Sequence, residues 1–298
     1  MNPKYIFTNI IGSFVFDGNF KIIDKSKENL KEKYSNLKKP DKEDLNKILQ
    51  YFKQRKFFQK FYEKNLLLAK QKVRESVTQD NLVIQTINVI EDLIKVINIL
   101  VTRLRDWYEL YNPEFSKALQ DNERFVGEIL EKNKTQLLKE IKVKQSMGSD
   151  LKKDDLQAIL NLAKEIKSLY EHKKKQEQYL EEIMKKLCPN MITITGPIIG
   201  AKLLEHAGSL EHLSELPAST IQLLGAERAL FRHMKTGARC PKYGILFQHP
   251  FVSQAKKQMQ GKIARLLADK ISIAVKVDFF NGTFIGDKLK KQIETKLK

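Results

Sequence analysis

The chain is short of cysteine. Only Cys188 and Cys240 occur in 298 residues, far apart and in no CxxC pair. That argues against both a disulfide framework and a structural zinc site. Glycine (13) and proline (8) are too sparse for an all-β fold full of turns. No run of 18 apolar residues exists, so no segment reads as a membrane-spanning helix. The start, Met1-Asn2-Pro3-Lys4-Tyr5, does not open a signal peptide, because Asp17 and the glycines interrupt the apolar stretch that follows. The five histidines (His172, His206, His212, His233, His249) form no HExxH or HxxxH pair, and neither GxSxG nor GxGxxG occurs. The expectation is an intracellular protein with no catalytic residues, no metal ligands and no cofactor of its own.

What the chain has in excess is positive charge, with 54 Lys and Arg against 36 Asp and Glu, a net of +18. Such a surplus concentrates polyanions and speeds their encounter. Nucleic acid is the first candidate partner and an anionic membrane surface the second. The surplus is also segregated. Residues 1–78 hold 18 basic and 9 acidic residues, residues 79–188 hold 19 of each, and residues 189–298 hold 17 and 8. Charge kept for solubility would be spread evenly. The ends are therefore read as partner-binding and the middle as a spacer.

The texture predicts a mostly α protein in three parts. Residues 1–78 read as a small α/β domain. Tyr5-Ile6-Phe7, Ser13-Phe14-Val15-Phe16 and Phe20-Lys21-Ile22-Ile23 are candidate strands around an Asp17-Gly18-Asn19 turn, with helices after Pro40. Residues 79–188 read as a central antiparallel coiled coil. Val83, Ile87, Ile90, Ile94, Ile97, Val101, Leu104 and Tyr108 alternate by fours and threes on one stripe, and Val89, Leu93, Val96 and Leu100 widen it. Such a helix must be covered on more than one side. Asn112-Pro113 is expected to end it. A second stripe, Leu156, Ile159, Ala163, Ile166 and Tyr170, resumes at Leu180, Met184 and Leu187 after the polar run Glu171 to Gln176. Together the two helices suit a spacer that also self-associates. Pro189 closes the second helix. Residues 189–298 read as a compact all-helical domain, with Ser219-Thr220 placed to cap a helix near Ile221.

The stretch from Gly225 to Lys242 carries the strongest functional pattern. Arg228, Arg232 and Lys235 are spaced four and three, so they share one helical face. Gly237 suits a helix C-cap, after which Arg239 and Lys242 extend the basic edge into a loop. Arginine forks match phosphate, and Phe231 and His233 place flat rings where an unpaired base can stack. Gly225 permits close approach of a backbone, and Glu227 is placed to buttress a neighbouring arginine. The plain alternative is a solvated helix with Leu230 and Phe231 in the core. Lys256, Lys257, Lys262 and Arg265 either widen the basic face or merely solvate a helix. Thr195 to Lys202 mismatches the nucleotide-binding loop and suits close helix packing through glycine. His249 is read as structural.

The run Leu216-Pro217-Ala218-Ser219-Thr220-Ile221-Gln222-Leu223-Leu224-Gly225-Ala226-Glu227-Arg228-Ala229-Leu230-Phe231-Arg232-His233 resembles the signature of the Nop domain. Thr236-Gly237-Ala238-Arg239 and Gly244-Ile245-Leu246-Phe247-Gln248-His249-Pro250 continue the likeness. Upstream, Leu100 to Tyr108 and Ser146-Met147-Gly148 resemble the family's coiled-coil region. The nearest likeness is to archaeal Nop proteins of box C/D ribonucleoproteins, weakest over residues 24–78.

The resemblance implies a non-catalytic scaffold in an archaeal cytoplasm. Its N-terminal domain would dock fibrillarin, the RNA 2′-O-methyltransferase that itself binds S-adenosylmethionine. Its coiled coil would pair two copies. Its Nop domain would bind box C/D guide RNA at a kink-turn, together with a ribosomal-protein-like kink-turn factor. The resemblance puts RNA and guide-duplex contact in the Gly225–Arg228 loop and the Ala229–Arg232 stretch, and with the basic face the expected RNA contacts are Gly225, Ala226, Glu227, Arg228, Ala229, Leu230, Phe231, Arg232, His233, Lys235, Thr236, Arg239, Lys242 and Gln248. Arg228 stands where the family often has Lys. Cys240 and Tyr243 stand where Pro and His are common. Individual fibrillarin-docking residues do not carry over. The alternatives are a spliceosomal-type Nop assembly factor with no methyltransferase partner, a self-sufficient RNA methylase, which the missing cofactor loop disfavours, and a purely structural coiled coil.

Overall fold

The computed structural model describes residues 4–26, 34 and 37–297. Met1–Pro3 of the N-terminal reading and Lys298 of the Lys-rich end lie outside the described residues. The chain divides into two compact units, Met1–Thr78 and Gln79–Lys298.

Among the described residues the first unit is a four-stranded sheet with two helices. Its strands are β1 (Lys4–Asn9), β2 (Gly12–Phe16), β3 (Ile22–Ser26) and β4 (Leu37–Lys38), in spatial order β3-β2-β1-β4. β2 runs antiparallel to both neighbours, and β4 joins β1 in parallel. The side chain of Asp17 accepts from the backbone of Asn19 and Lys21, which closes the expected turn. Phe20 does not belong to the return strand. Its φ is +59°, a left-handed turn conformation, so β3 starts two residues later. The helices are α1 (Lys42–Phe52) and α2 (Arg55–Glu75). Phe14 and Phe16 share one face of β2, as period-two alternation requires. They pack with Ile48, Phe52 and Phe57 in an aromatic core, the Phe14 and Phe52 rings meeting edge-on at 4.9 Å.

The second unit opens with the long hairpin of α3 (Gln79–Tyr108) and α7 (Lys153–Leu187). The start of α3 (Val83, Ile87, Ile90) shares a core with the end of α7 (Leu180, Met184), and the end of α3 (Leu104, Tyr108) shares one with the start of α7 (Ile159, Ala163, Ile166). The pair is therefore antiparallel. Seven of the eight stripe residues on α3 are buried, and Ile94 at 39% exposure is the exception. Its place explains this. Ile94 sits in the interval between the two cores, where α7 carries its polar run and offers no apolar partner.

Between these helices lie α4 (Pro113–Ala118), α5 (Asn122–Glu131) and α6 (Lys134–Glu140). Asn112-Pro113 does not so much stop α3 as start α4. The Asn112 side chain accepts from Phe115 N, and Pro113 sits in the first turn where no N–H is required. Arg105 ties the tip together. Its guanidinium lies 4.3 Å from the Phe125 ring centroid and donates to the carbonyls of Ser116 and Leu119. Glu114 accepts from the Ser146 hydroxyl and the Met147 amide. A Cβ on Gly148 would stand 2.1 Å from the Tyr111 carbonyl oxygen, so glycine is required there.

The helical body comprises α8 (Pro189–Thr195), α9 (Pro197–Ala207), α10 (Leu210–Glu215), α11 (Ala218–Leu223), α12 (Glu227–Thr236), a 3-10 turn (Ile245–Gln248), α13 (Pro250–Ser253), α14 (Gln260–Phe279) and α15 (Gly286–Leu297). α14 is the central element and buries Ile263, Leu267, Ile271 and Val275. The core is continuous from Leu180 and Met184 on α7 into Met191, Leu203 and Leu267, so no gap falls at Cys188. Gly196, at φ +75°, turns the chain between α8 and α9, and a Cβ on Gly200 would stand 2.9 Å from Met184 Cε, consistent with close helix packing. Buried Asp278 accepts from the amides of Asn190 and Met191 and from the Asn190 side chain at 2.7–3.0 Å. This carboxylate satisfies donors at the start of α8 that no helical carbonyl can reach. Pro217 stands at the N-cap of α11, so Ser219 and Thr220 lie within the helix and do not cap it.

Candidate nucleic-acid interface

α12 is amphipathic in composition yet none of its residues is buried. Ala226, Leu230 and His233 are half-buried and spaced four and three, so they mark the less exposed edge of the helix. At 100° per residue, Arg228, Arg232 and Lys235 point from the opposite side. All three are exposed, as are Arg239 and Lys242. Among the described residues none of these five cations has an ion-pair partner within 4.0 Å. Unneutralised, they are available to an external anion.

Phe231 is 59% exposed on the flank beside the cations, and Met234 is 63% exposed. The alternative in which Phe231 fills the core is thus excluded, while Leu230 is half-buried. Ala229 and Thr236 are exposed, and the Thr236 hydroxyl is spent on the Arg232 carbonyl. His233 is not a free ring. Its Nδ1 meets the Ala238 carbonyl, which holds the turn after Gly237, whose φ of +66° makes the expected left-handed C-cap.

The loop before α12 is held from beneath. Glu227 does not buttress an arginine. Its carboxylate accepts from the Gly225 amide at 2.6 Å and pairs with His206 Nδ1 at 3.4 Å. Burial alone would raise the Glu227 pKa, but the backbone amides of Gly225 and Glu227 and the nearby His206 hold it below the ordinary glutamate range. Gly225 has φ +85°, and a Cβ there would stand 2.6 Å from Ile245 Cγ1. The close approach it permits is therefore inward, to the 3-10 turn.

The loop after α12 is strapped back to α11. Gly244 N donates to Gln222 O at 3.0 Å, Ile245 N donates to Leu224 O at 2.8 Å, and Gln222 Nε2 donates to the Lys242 carbonyl. Tyr243 stacks on Phe247 at 5.0 Å, so it serves the loop and not the exposed face. Gln248 is exposed, and its Oε1 accepts from Lys202, which in turn pairs with Glu91 on α3 at 2.9 Å. Sequence reasoning missed His206 and Lys202. They lie four apart on α9 and support the two ends of the patch. His249 is buried, with Nε2 donating to Ile194 O at 3.0 Å and Nδ1 accepting from Phe251 N. Burial depresses its pKa, in keeping with that neutral, structural ring.

Among the described residues no cluster of three or more His, Cys, Asp or Glu side chains is placed to hold a metal, and no helix is long and apolar enough to cross a membrane. Fold and site define a predominantly helical protein whose candidate site is an open cationic surface and not an enclosed pocket.

The chain belongs to the Nop family, for the family model described as "snoRNA binding domain, fibrillarin" matches residues 89–298. An uncharacterised NOP5 family protein of Methanocaldococcus jannaschii is 38% identical over 247 residues, covering 77% of this chain and 59% of that protein. Nucleolar protein 56 of Schizosaccharomyces pombe is 37% identical over 254 residues, covering 77% of this chain and 51% of that protein. The chain thus spans between half and three-fifths of the length of these relatives. Among solved structures, the crystal structure of a fibrillarin/Nop5p complex aligns with a TM-score of 0.48 at 27% identity, covering 98% of each chain.

Proposed function

We propose that this chain is the non-catalytic scaffold of a box C/D ribonucleoprotein. It grips guide RNA, beside a kink-turn factor, through the Gly225–Lys242 surface and positions fibrillarin for RNA 2′-O-methylation. The observation that carries the reading is α12, a helix with no buried residue whose three cations share its most exposed face without an ion-pair partner among the described residues. Membership of a family whose model is described by snoRNA binding and fibrillarin supports it. In this reading S-adenosylmethionine is bound by fibrillarin, and this chain supplies placement. Holding catalyst and target in register raises effective concentration without scaffold chemistry.

The phosphate contacts fall to Arg228, Arg232, Lys235, Arg239 and Lys242, and base stacking to Phe231. Ala226, Leu230 and His233 form the sheltered edge of the helix, and Ala229 leaves room beside it for the RNA backbone. Gly225, Glu227, Thr236 and Gln248 hold its ends. Self-association uses the outer side of α3. Leu82, Val89 and Val96 are 42–45% exposed at strict seven-residue spacing, and Ile99 beside them is 63% exposed. A heptad stripe left uncovered within one copy suits a second copy.

The test is reconstitution of methylation from this protein, fibrillarin, a kink-turn protein and a guide RNA, omitting one at a time. Methylation should need all four. Full activity without this chain would refute the scaffold role, and methyl transfer by this chain alone would make it an enzyme.

A further inference from the structure

The α12 patch is not the end of the basic surface. Its trailing residue, Lys242, lies against the start of α14, where a Cβ on Gly261 would stand 3.6 Å from Lys242 Cδ. Next to it, the Tyr243 hydroxyl donates to Gln260 at 2.9 Å. From this junction α14 runs beside α15 in the opposite direction, since Lys262 and Lys296 share one cleft while Lys270 and Lys288 share the next. The two clefts, about 450 and 730 Å³, are both lined by Lys296, so they adjoin at that side chain along one open channel.

Both walls of that channel are cationic. Lys262 and Lys270 stand eight residues apart on α14, and Lys288 and Lys296 eight residues apart on α15, with Lys291 between. Each row is about 12 Å long at 1.5 Å per residue. Lys256 stands at the mouth. Among the described residues no carboxylate lines the channel, although Asp269, Asp287 and Glu294 lie on the same two helices. Among the described residues none of the six lysines has an ion pair within 4.0 Å, and Lys270 instead donates to Gln292 across the cleft at 2.6 Å. Like charges facing each other across a groove repel, so an anion between them is stabilised by both rows.

We infer that this channel is a second RNA-backbone site, which takes the sugar–phosphate chain of the same RNA as it leaves the α12 patch. The inference rests on the RNA reading of that patch. Charge complementarity selects the occupant. The chemistry also differs from the patch. The channel offers lysine point charges and no aromatic ring, which suits sequence-blind contact with phosphates.

The experiment is a salt titration of box C/D RNA binding, with the kink-turn protein present, for the full chain and three variants. These are K288Q/K291Q/K296Q in the channel, R228A/R232A/K235A on α12, and K174Q/K175Q/K186Q as a control for lost charge on exposed α7. Every substituted residue is exposed, so thermal unfolding should be unchanged. The channel variant should flatten the slope of log affinity against log salt by roughly 2 to 3 relative to the full chain, and the control should not. Amine-reactive labelling of Lys288, Lys291 and Lys296 should also fall when RNA binds. An unchanged slope with the channel variant, or an equal loss with the control, overturns the channel while leaving the α12 site standing. No effect from either the channel or the α12 variant overturns both.

Discussion

α3 and α12 are both helices with a periodic pattern, and they use it in opposite ways. α3 turns its stripe inward, and Val83 through Tyr108 are buried almost without a break. α12 buries nothing, and its regular spacing belongs to cations. The same arithmetic of fours and threes thus marks a core in one helix and a binding face in the other. The kind of residue repeated decides which. An apolar stripe gains by leaving water, whereas a row of Arg and Lys would lose by leaving it unpaired, so it stays at the surface and open to an anion.

The contrast predicts separable effects. Leu104→Ala on α3 should destabilise the second unit by about 2–5 kcal/mol in denaturant unfolding, the cost of a cavity where a fully buried side chain stood. A loss below about 1 kcal/mol would show the hairpin core to be loosely packed. Phe231→Ala on α12 should leave unfolding within about 0.5 kcal/mol but weaken RNA binding by roughly 1–3 kcal/mol if the ring stacks on a base. The opposite outcome, lost stability with unchanged binding, would make α12 part of the core. Gly225→Ala should cost about 1–2 kcal/mol, because its left-handed φ and the Ile245 side chain both exclude a Cβ.

Smaller effects sharpen the comparison. Val89→Glu with Val96→Glu should leave the monomer folded and abolish self-association in sedimentation, since both side chains are partly exposed outside the hairpin core. Persistence of the dimer would place the contact elsewhere. Glu227 gives the smallest effect. Its carboxyl pKa is lowered in the folded state, so its hold on Gly225 is complete above the ordinary glutamate pKa of about 4.3. It is lost only as pH falls through the lower folded value. The Glu227 carboxyl carbon should therefore show its protonation midpoint below the ordinary value of about 4.3 in a carbon-detected titration. A midpoint at or above that value would contradict the anchor.

Much of this was legible in the chain. The α3 and α7 stripes, the turn at Asp17 and the C-cap at Gly237 are local patterns whose physics is complete within a few residues. The basic spacing of α12 was equally local. What escaped was non-local. Glu227 meets His206, Lys202 meets Gln248, and Asp278 meets Asn190 across 21, 46 and 88 residues. β4 escaped because two residues paired in parallel leave no periodic trace. Ile94 fitted the stripe perfectly, and only the polar run on the facing helix shows why it stays exposed. The lysines of α15 read as a basic end until α14 was seen beside them.

The central claim is that the outward cations of α12 bind RNA phosphates. The most direct measurement is the salt dependence of box C/D RNA binding, in the presence of the kink-turn protein, for the full chain and for R228A/R232A/K235A. The account predicts that the variant keeps its unfolding midpoint, loses affinity, and flattens the slope of log affinity against log salt by roughly 2 to 3. An identical slope and affinity in the folded variant would contradict it.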